Sequence, residues 1–218
     1  MTTAMQVLDA LYVASDGALW TRNSGWNVGM DPCGVNGPRE GIQCSSTGVM
    51  AARVENLGLH GTIPTQIGLL TDVYYLDINS NPRLSGTVPT QIGQLSTFSY
   101  DLYSTQISGV MPTEIGLMRM TRMNWRGARI SGVLPTQLGR MTNLQFDLDL
   151  PFNPISGTLP TEVGELTLLE ELVLSETALS GSVRKMHLPQ LKRAALFWAT
   201  FDLNSDPRRA CADRFRRR

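Results

Sequence analysis

The sequence predicts an α/β solenoid, and three observations carry that prediction. An octamer recurs five times, as GTIPTQIG from Gly61, GTVPTQIG from Gly86, GVMPTEIG from Gly109, GVLPTQLG from Gly132 and GTLPTEVG from Gly157. Its leading glycines stand 25, 23, 23 and 25 residues apart, and a degenerate sixth copy, GSVRKMHL, begins 24 residues later at Gly181. Between the octamers runs a leucine-type frame, clearest where Leu166, Leu169, Leu172, Leu174 and Leu179 precede Ser180 and Gly181. A fixed period of this length marks stacked units, each unable to bury its apolar face alone.

Each coil is expected to open on a short strand. The L-x-L step has the period of two that one buried face demands. It pairs Ala52 with Val54, Leu76 with Ile78, Tyr100 with Leu102, Met123 with Trp125, Leu148 with Leu150 and Leu172 with Leu174. Neighbouring coils then lay these strands parallel, about 4.8 Å apart. Just past the strands, Asn81 and Asn153 are placed to cap the backbone of the turn with a buried amide; Thr105, Ala128 and Thr177 stand there in other coils, so the ladder is patchy. The octamer proline fixes φ and removes a donor, which suits the turn leaving the strand side. The glycines around it permit close approach or positive φ. Thr65, Thr90, Thr113, Thr136 and Thr161 are expected to cap the short helical turn that follows. Met111, Met118, Met120, Met123 and Met141 fall on repeat or return positions and read as core filler.

Composition bounds the function. The chain has 218 residues, enough for one domain with a proper core. Its 19 basic and 19 acidic residues cancel, which argues against nucleic-acid binding by overall charge. No apolar run reaches the roughly 18 residues that a membrane span requires. The cancellation conceals an asymmetry. Residues 208–218 carry six arginines against Asp213, a net of +5, and leave −5 on the 207 residues before them. Such a basic segment is either solvated or in contact with an acidic surface.

The frame LxxLxxLxLxxNxLSGxIPxxIG resembles the plant-type leucine-rich repeat of receptor-kinase ectodomains and polygalacturonase-inhibiting proteins. The stretch LDALYVASDGALWTRNSGWNVGMDPCGVNGPREGIQC is similar to the N-terminal cap of such proteins, with Trp20, Trp26, Cys33, Gly41 and Cys44 in the matching places. Arg39 or Glu40 stands where the family carries a second tryptophan. The resemblance implies a right-handed superhelix with short parallel strands on its concave face and a helical N-terminal cap. It divides the chain into a cap (1–48), a solenoid of about six coils (49–203) and a basic tail (204–218). It also implies a disulfide between Cys33 and Cys44, with Cys211 left without a partner. Residues 1–15 lack the pattern of a secretory signal and no N-x-S/T sequon occurs, whereas cap cysteines belong in an oxidising compartment. The expected address is extracellular or the cell surface, with the cytoplasm as the alternative.

Residues alternating with the buried strand positions should line one face as a polar strip. Its expected ligand-binding members are Tyr75, Asp77, Asn79, Asp101, Tyr103, Asn124, Arg126 and Asp149. Asp77 and Asp101 fall on adjacent strands, where like charges repel. Such repulsion points to a basic or hydroxyl-rich partner; the alternative is a solvated face balanced by Arg122 and Arg126. Towards the last coils the strip becomes apolar through Val173, Ala195, Phe197 and Trp198, under an end cap or as a docking patch.

Enzyme signatures are scarce. Two histidines, His60 and His187, share no ligand spacing, and His60 reads as a surface turn residue. No P-loop, nucleophile elbow, C-x-x-C pair or dinucleotide fingerprint occurs, so neither a cofactor nor a metal is expected. The reading is a non-catalytic recognition module for a protein or peptide, with a glycan as a further ligand class; the resemblance implies signalling or defence-type recognition. The alternatives are an inhibitor of a wall-degrading enzyme and an ice- or glycan-binding solenoid, since the octamer threonines form a regular ladder.

Overall fold

The computed structural model describes residues 3–34, 37–46, 48–181, 186–196 and 200–201. Phe197, Trp198, Cys211 and the basic tail lie outside the described residues. The chain begins with helix Thr3–Ala14, whose Met5, Val7, Leu8 and Leu11 are buried. The helix lies against the 3₁₀ turn of the first octamer, Thr65–Leu69. Tyr12, Trp20 and Trp26 form an aromatic knot beneath it, with Trp20 and Trp26 edge-on at 4.8 Å. Cys33 and Cys44 are joined by a disulfide.

Of Arg39 and Glu40, the two residues expected where the resemblance places a second tryptophan, Arg39 is the buried one. It is 2% exposed, with its guanidinium 5.3 Å over the Trp26 ring. Its Nη2 donates to Asp9 Oδ1 at 2.6 Å and to the carbonyls of Asn27 and Met30. A planar cation can take an aromatic's place when its charge is paired and its face stacks. Glu40 remains outside, paired with Arg22 at 3.4 Å.

The principal sheet has eight strands, in the order Ile42–Ser45, Gly48–Arg53, Tyr75–Asp77, Ser99–Asp101, Arg122–Asn124, Asp147–Asp149, Glu171–Val173 and Arg193–Ala195. The first pair is an antiparallel hairpin, and every later pairing is parallel. Register aligns Ala52, Leu76, Tyr100, Met123, Leu148, Leu172 and Ala194 in one row. The next inward row, Val54, Ile78, Leu102, Trp125, Leu150, Leu174 and Leu196, is equally buried. The strands are thus the L-x-L segments read from the sequence. The five methionines read as core are buried.

Behind the strands, each turn passes through the left-handed region: at Asn56, Ser80, Ser104, Phe152 and Glu176 with φ between 52° and 57°, and in one coil at both Gly127 (63°) and Arg129 (46°). Asn81 then reaches back one coil. Its Oδ1 accepts from the amides of Gly58 and Leu59, and its Nδ2 donates to the carbonyls of Val54, Ile78 and Asn79. Asn153 repeats the device against Ile130, Trp125, Leu150 and Pro151. Thr105 and Thr177 donate only to carbonyls of their own coils.

Each octamer turns through a 3₁₀ helix: Thr65–Leu69, Thr90–Gln94, Thr113–Leu117, Thr136–Arg140 and Thr161–Glu165. The threonines do not cap these turns. The preceding proline holds the cap position, and each hydroxyl lies 3.2–3.4 Å from the Gln or Glu side chain that follows it. Threonine is one residue too late, because the cap needs extended backbone and proline supplies it at a fixed φ. The last octamer glycine has a steric purpose: a Cβ on Gly116 would overlap the Gln137 carbonyl oxygen of the next coil.

A second sheet closes the opposite flank, where the sequence suggested return loops. It consists of the pair His60–Thr62 and Arg83–Ser85 and a five-stranded parallel set, Gly109–Val110, Ile130–Val133, Ile155–Thr158, Ala178–Gly181 and Thr200–Phe201. An isolated bridge between Thr87 and Ser108 links the two pieces. His60 therefore belongs to a strand instead of a surface turn, 3.2 Å from Arg83 Nη1. No helix among the described residues is long and apolar enough to cross a membrane.

Candidate functional site

The solvent face of the principal sheet carries two rows of outward side chains flanking the buried row. Following the pairing register, one runs Arg53, Asp77, Asp101, Asn124, Asp149, Val173 and Ala195. The other runs Tyr75, Ser99, Arg122, Asp147, Glu171 and Arg193. Asp77 and Asp101 are direct register partners, as are Asp101 and Asn124. Tyr103 is half-buried and Arg126 exposed on the same side of the stack. Seven of the eight residues expected in the strip therefore reach the surface.

Asn79 does not. It is 3% exposed; its Oδ1 accepts from the Ser80 hydroxyl at 2.9 Å, and its carbonyl accepts from Asn81 Nδ2. The strand ends at Asp77, and the left-handed Ser80 turns the chain so that Asn79 belongs to the turn.

The carboxylates on this face are held in an unfavourable setting. Burial pushes Asp77 up to about 6, helped by the charge on Asp101 and opposed by Arg53. Asp149 is likewise pushed up to about 6, chiefly by burial, with Arg126 opposing and Asp147 assisting. Burial also raises Asp101, against a hydrogen bond from Ser99 Oγ at 3.0 Å. Asp147 is raised by burial despite Arg122 at 3.0 Å. Asp149 Oδ1 is covered and has no hydrogen-bond partner. The face thus holds more desolvated negative charge than its arginines balance.

An aromatic column lies beside the carboxylates. Met50, Tyr74, Phe98, Thr121 and Phe146 are linked through backbone hydrogen bonds from coil to coil. Tyr74 stacks on Phe98 with centroids 5.3 Å apart; Tyr75 meets Phe98 edge-on at 5.5 Å, and Phe98 meets Phe146 at 5.9 Å. Tyr74 is 53% exposed. Three arginines already lie over rings near this face: Arg53 on Tyr75 at 4.7 Å, Arg122 on Phe146 at 5.4 Å and Arg126 on Phe152 at 4.8 Å. Of this column the strip had included none. Each member stands two residues ahead of the first buried strand position, and reading that third column along the repeat would have revealed it. Among the described residues, no group of three or more His, Cys, Asp or Glu side chains is arranged to hold a metal ion.

No protein-family model matches the chain. Solved structures do. A plant peptide hormone receptor, RGFR1 in complex with RGF2, is 31% identical over 64% of this chain and 23% of its own, with a TM-score of 0.59. The PEPR1–AtPEP1 complex is 22% identical over 93% of this chain and 28% of its own, with a TM-score of 0.72. A plant ice-binding protein is 20% identical over 91% of this chain and 79% of its own, with a TM-score of 0.60. The chain has the fold of a leucine-rich-repeat solenoid, like these structures. It spans about a quarter of the length of the two receptor structures.

Proposed function

We propose that the chain is a non-catalytic recognition module that binds a basic protein or peptide segment on the solvent face of its principal sheet. The observation carrying this reading is the in-register row Asp77, Asp101, Asn124 and Asp149 beside the exposed Tyr74–Phe98 pair. Desolvated carboxylates that repel one another bind a cationic partner more tightly than solvated ones do, because part of their hydration is already lost. Exposed rings add cation–π sites for arginine or lysine. A rigid, repeat-built face loses little ordering entropy on binding. One similar structure is a plant peptide hormone receptor, RGFR1, in complex with RGF2, which supports a peptide ligand and a role in signalling. The Cys33–Cys44 disulfide and the likeness to receptor ectodomains support an extracellular or cell-surface address.

Panning the immobilised chain against a randomised peptide library tests the reading. Enriched peptides are expected to be rich in Lys and Arg, and to bind the combined variant Asp77→Asn, Asp101→Asn, Asp149→Asn at least about 100-fold more weakly. Equal binding to wild type and variant would move the site elsewhere.

A second reading, an ice-binding solenoid, draws on the other flank. Thr62, Thr87, Val110, Val133 and Thr158 are exposed on this flank, that of the second sheet, each in register with a serine of the next coil, and a plant ice-binding protein has a similar fold. Under the leading reading, purified protein is expected to show no thermal hysteresis. Hysteresis that disappears in Thr87→Tyr and Val133→Tyr would transfer the function to this sheet.

A further inference from the structure

We propose that the carboxylate row of the principal sheet has a resident ligand within the chain itself, the basic segment 208–218. The inference rests on the reading of that face as a binding surface for cationic segments and names one occupant. Three observations meet. The segment carries a net +5 and the remainder of the chain −5, so the two are matched in charge. The segment's basic residues are all arginine, and arginine is the side chain that this face already accommodates, over Tyr75, Phe146 and Phe152. The stacked pair Tyr74 and Phe98 offers a further aromatic surface, and Asp149 Oδ1 is covered without a donor.

Reach permits the contact. Arg208 is seven residue steps beyond Phe201, the last described position, and an extended chain advances about 3.3 Å per residue. Arg208 can therefore lie about 23 Å from Phe201, and each later residue adds to that span. Along the principal sheet, the strand holding Asp149 is two strands from the last one, and the strand holding Asp77 is five. At about 4.8 Å per strand the row extends about 24 Å from the last strand of the principal sheet. Because Phe201 lies on the second sheet, the segment must also cross the stack, for which the 17 residue steps from Phe201 to Arg218 provide up to about 56 Å. Bound in this way, the segment would compete with any external basic ligand for the same carboxylates.

Cys211 provides the probe, since Cys33 and Cys44 are bonded to each other. In the full chain, a second cysteine is introduced either beside the carboxylate row, as Ser175→Cys, or on the second sheet, as Thr158→Cys. Intrachain disulfide formation with Cys211 under glutathione disulfide is then followed by mass spectrometry. The second-sheet position is the stringent control, because the described chain ends on that sheet at Phe201. Ser175→Cys is expected to cross-link at least about 10-fold faster at low salt. The preference should vanish at about 0.5 M salt, where charges are screened within a few ångströms, and in the Asp77→Asn, Asp101→Asn, Asp149→Asn background. Changing the six arginines of the segment to Gln should also strengthen binding of the panned peptides. Equal cross-linking of the two positions at low salt overturns the proposal. If peptides still bind in an Asp-dependent manner, the face remains a binding surface without this occupant; if they do not, the reading of the face falls with it.

Discussion

Asn153→Ala is expected to destabilise the solenoid by about 3–5 kcal/mol, lowering the midpoint of thermal unfolding by roughly 10 °C. The side chain is 1% exposed and satisfies one amide and three carbonyls across two coils. Alanine leaves the Ile130 amide and the Leu150 carbonyl without the Asn153 side chain, at about 1–3 kcal/mol each, and takes one bond each from the Trp125 and Pro151 carbonyls, which keep the amides of Ala128 and Gly127. Thr177→Ala is the internal comparison. It removes a single bond, to the carbonyl of Leu174, and should cost about 1 kcal/mol. Urea unfolding of both variants decides the matter: equal losses would mean that the amide's reach into the previous coil contributes nothing.

The second large effect is a pH dependence of stability. Asp77 and Asp149 are pushed up to about 6 in the folded chain from an ordinary value of 3.8. Between those values the native state holds protons that the unfolded chain has released, so stability falls as pH rises from about 4 to about 6. The slope flattens through pH 6, and the loss is complete about one pH unit above it. Asp77→Asn, Asp101→Asn, Asp149→Asn removes the ionised carboxylates, and should gain stability at pH 7.5 on the order of 1 kcal/mol per residue, after the screening an open sheet face allows. Chemical unfolding across pH 4–7.5 reads both effects. A difference between wild type and variant that does not grow with pH over this interval would show that the carboxylates are not strained. The residues that weaken the empty protein are the ones proposed to hold its ligand, as expected of a binding surface that gives up stability for affinity.

Much of this architecture is legible in the chain because its signals repeat. The L-x-L step recovers every inward row, and with it the outward positions Asp77, Asp101, Asn124 and Asp149. Periodicity of two carries that inference only while the backbone is extended, and it fails at Asn79, where a left-handed residue follows. The second sheet escaped because its strands read as xSGT or xSGV, with glycine and serine in place of an apolar alternation. The octamer threonines misled for a local reason, since proline had already taken the cap. Tyr74, Phe98 and Phe146 were hidden by heterogeneity: Met50 and Thr121 stand at the same position in other coils, so no consensus residue draws attention to it.

The uneven asparagine ladder has a mechanical corollary. Asn81 bolts its coil to the one before it, and Asn153 does the same further along, whereas Ala128 between them has no side-chain polar group. The buried amide clamps thus divide the stack into two blocks, and the coil between them is expected to be the more compliant spacer, held by other bonds such as Trp125 Nε1 to the Tyr100 carbonyl. Asp77 belongs to one block and Asp149 to the other, so a ligand bridging both would stiffen the spacer and fix the tilt between them.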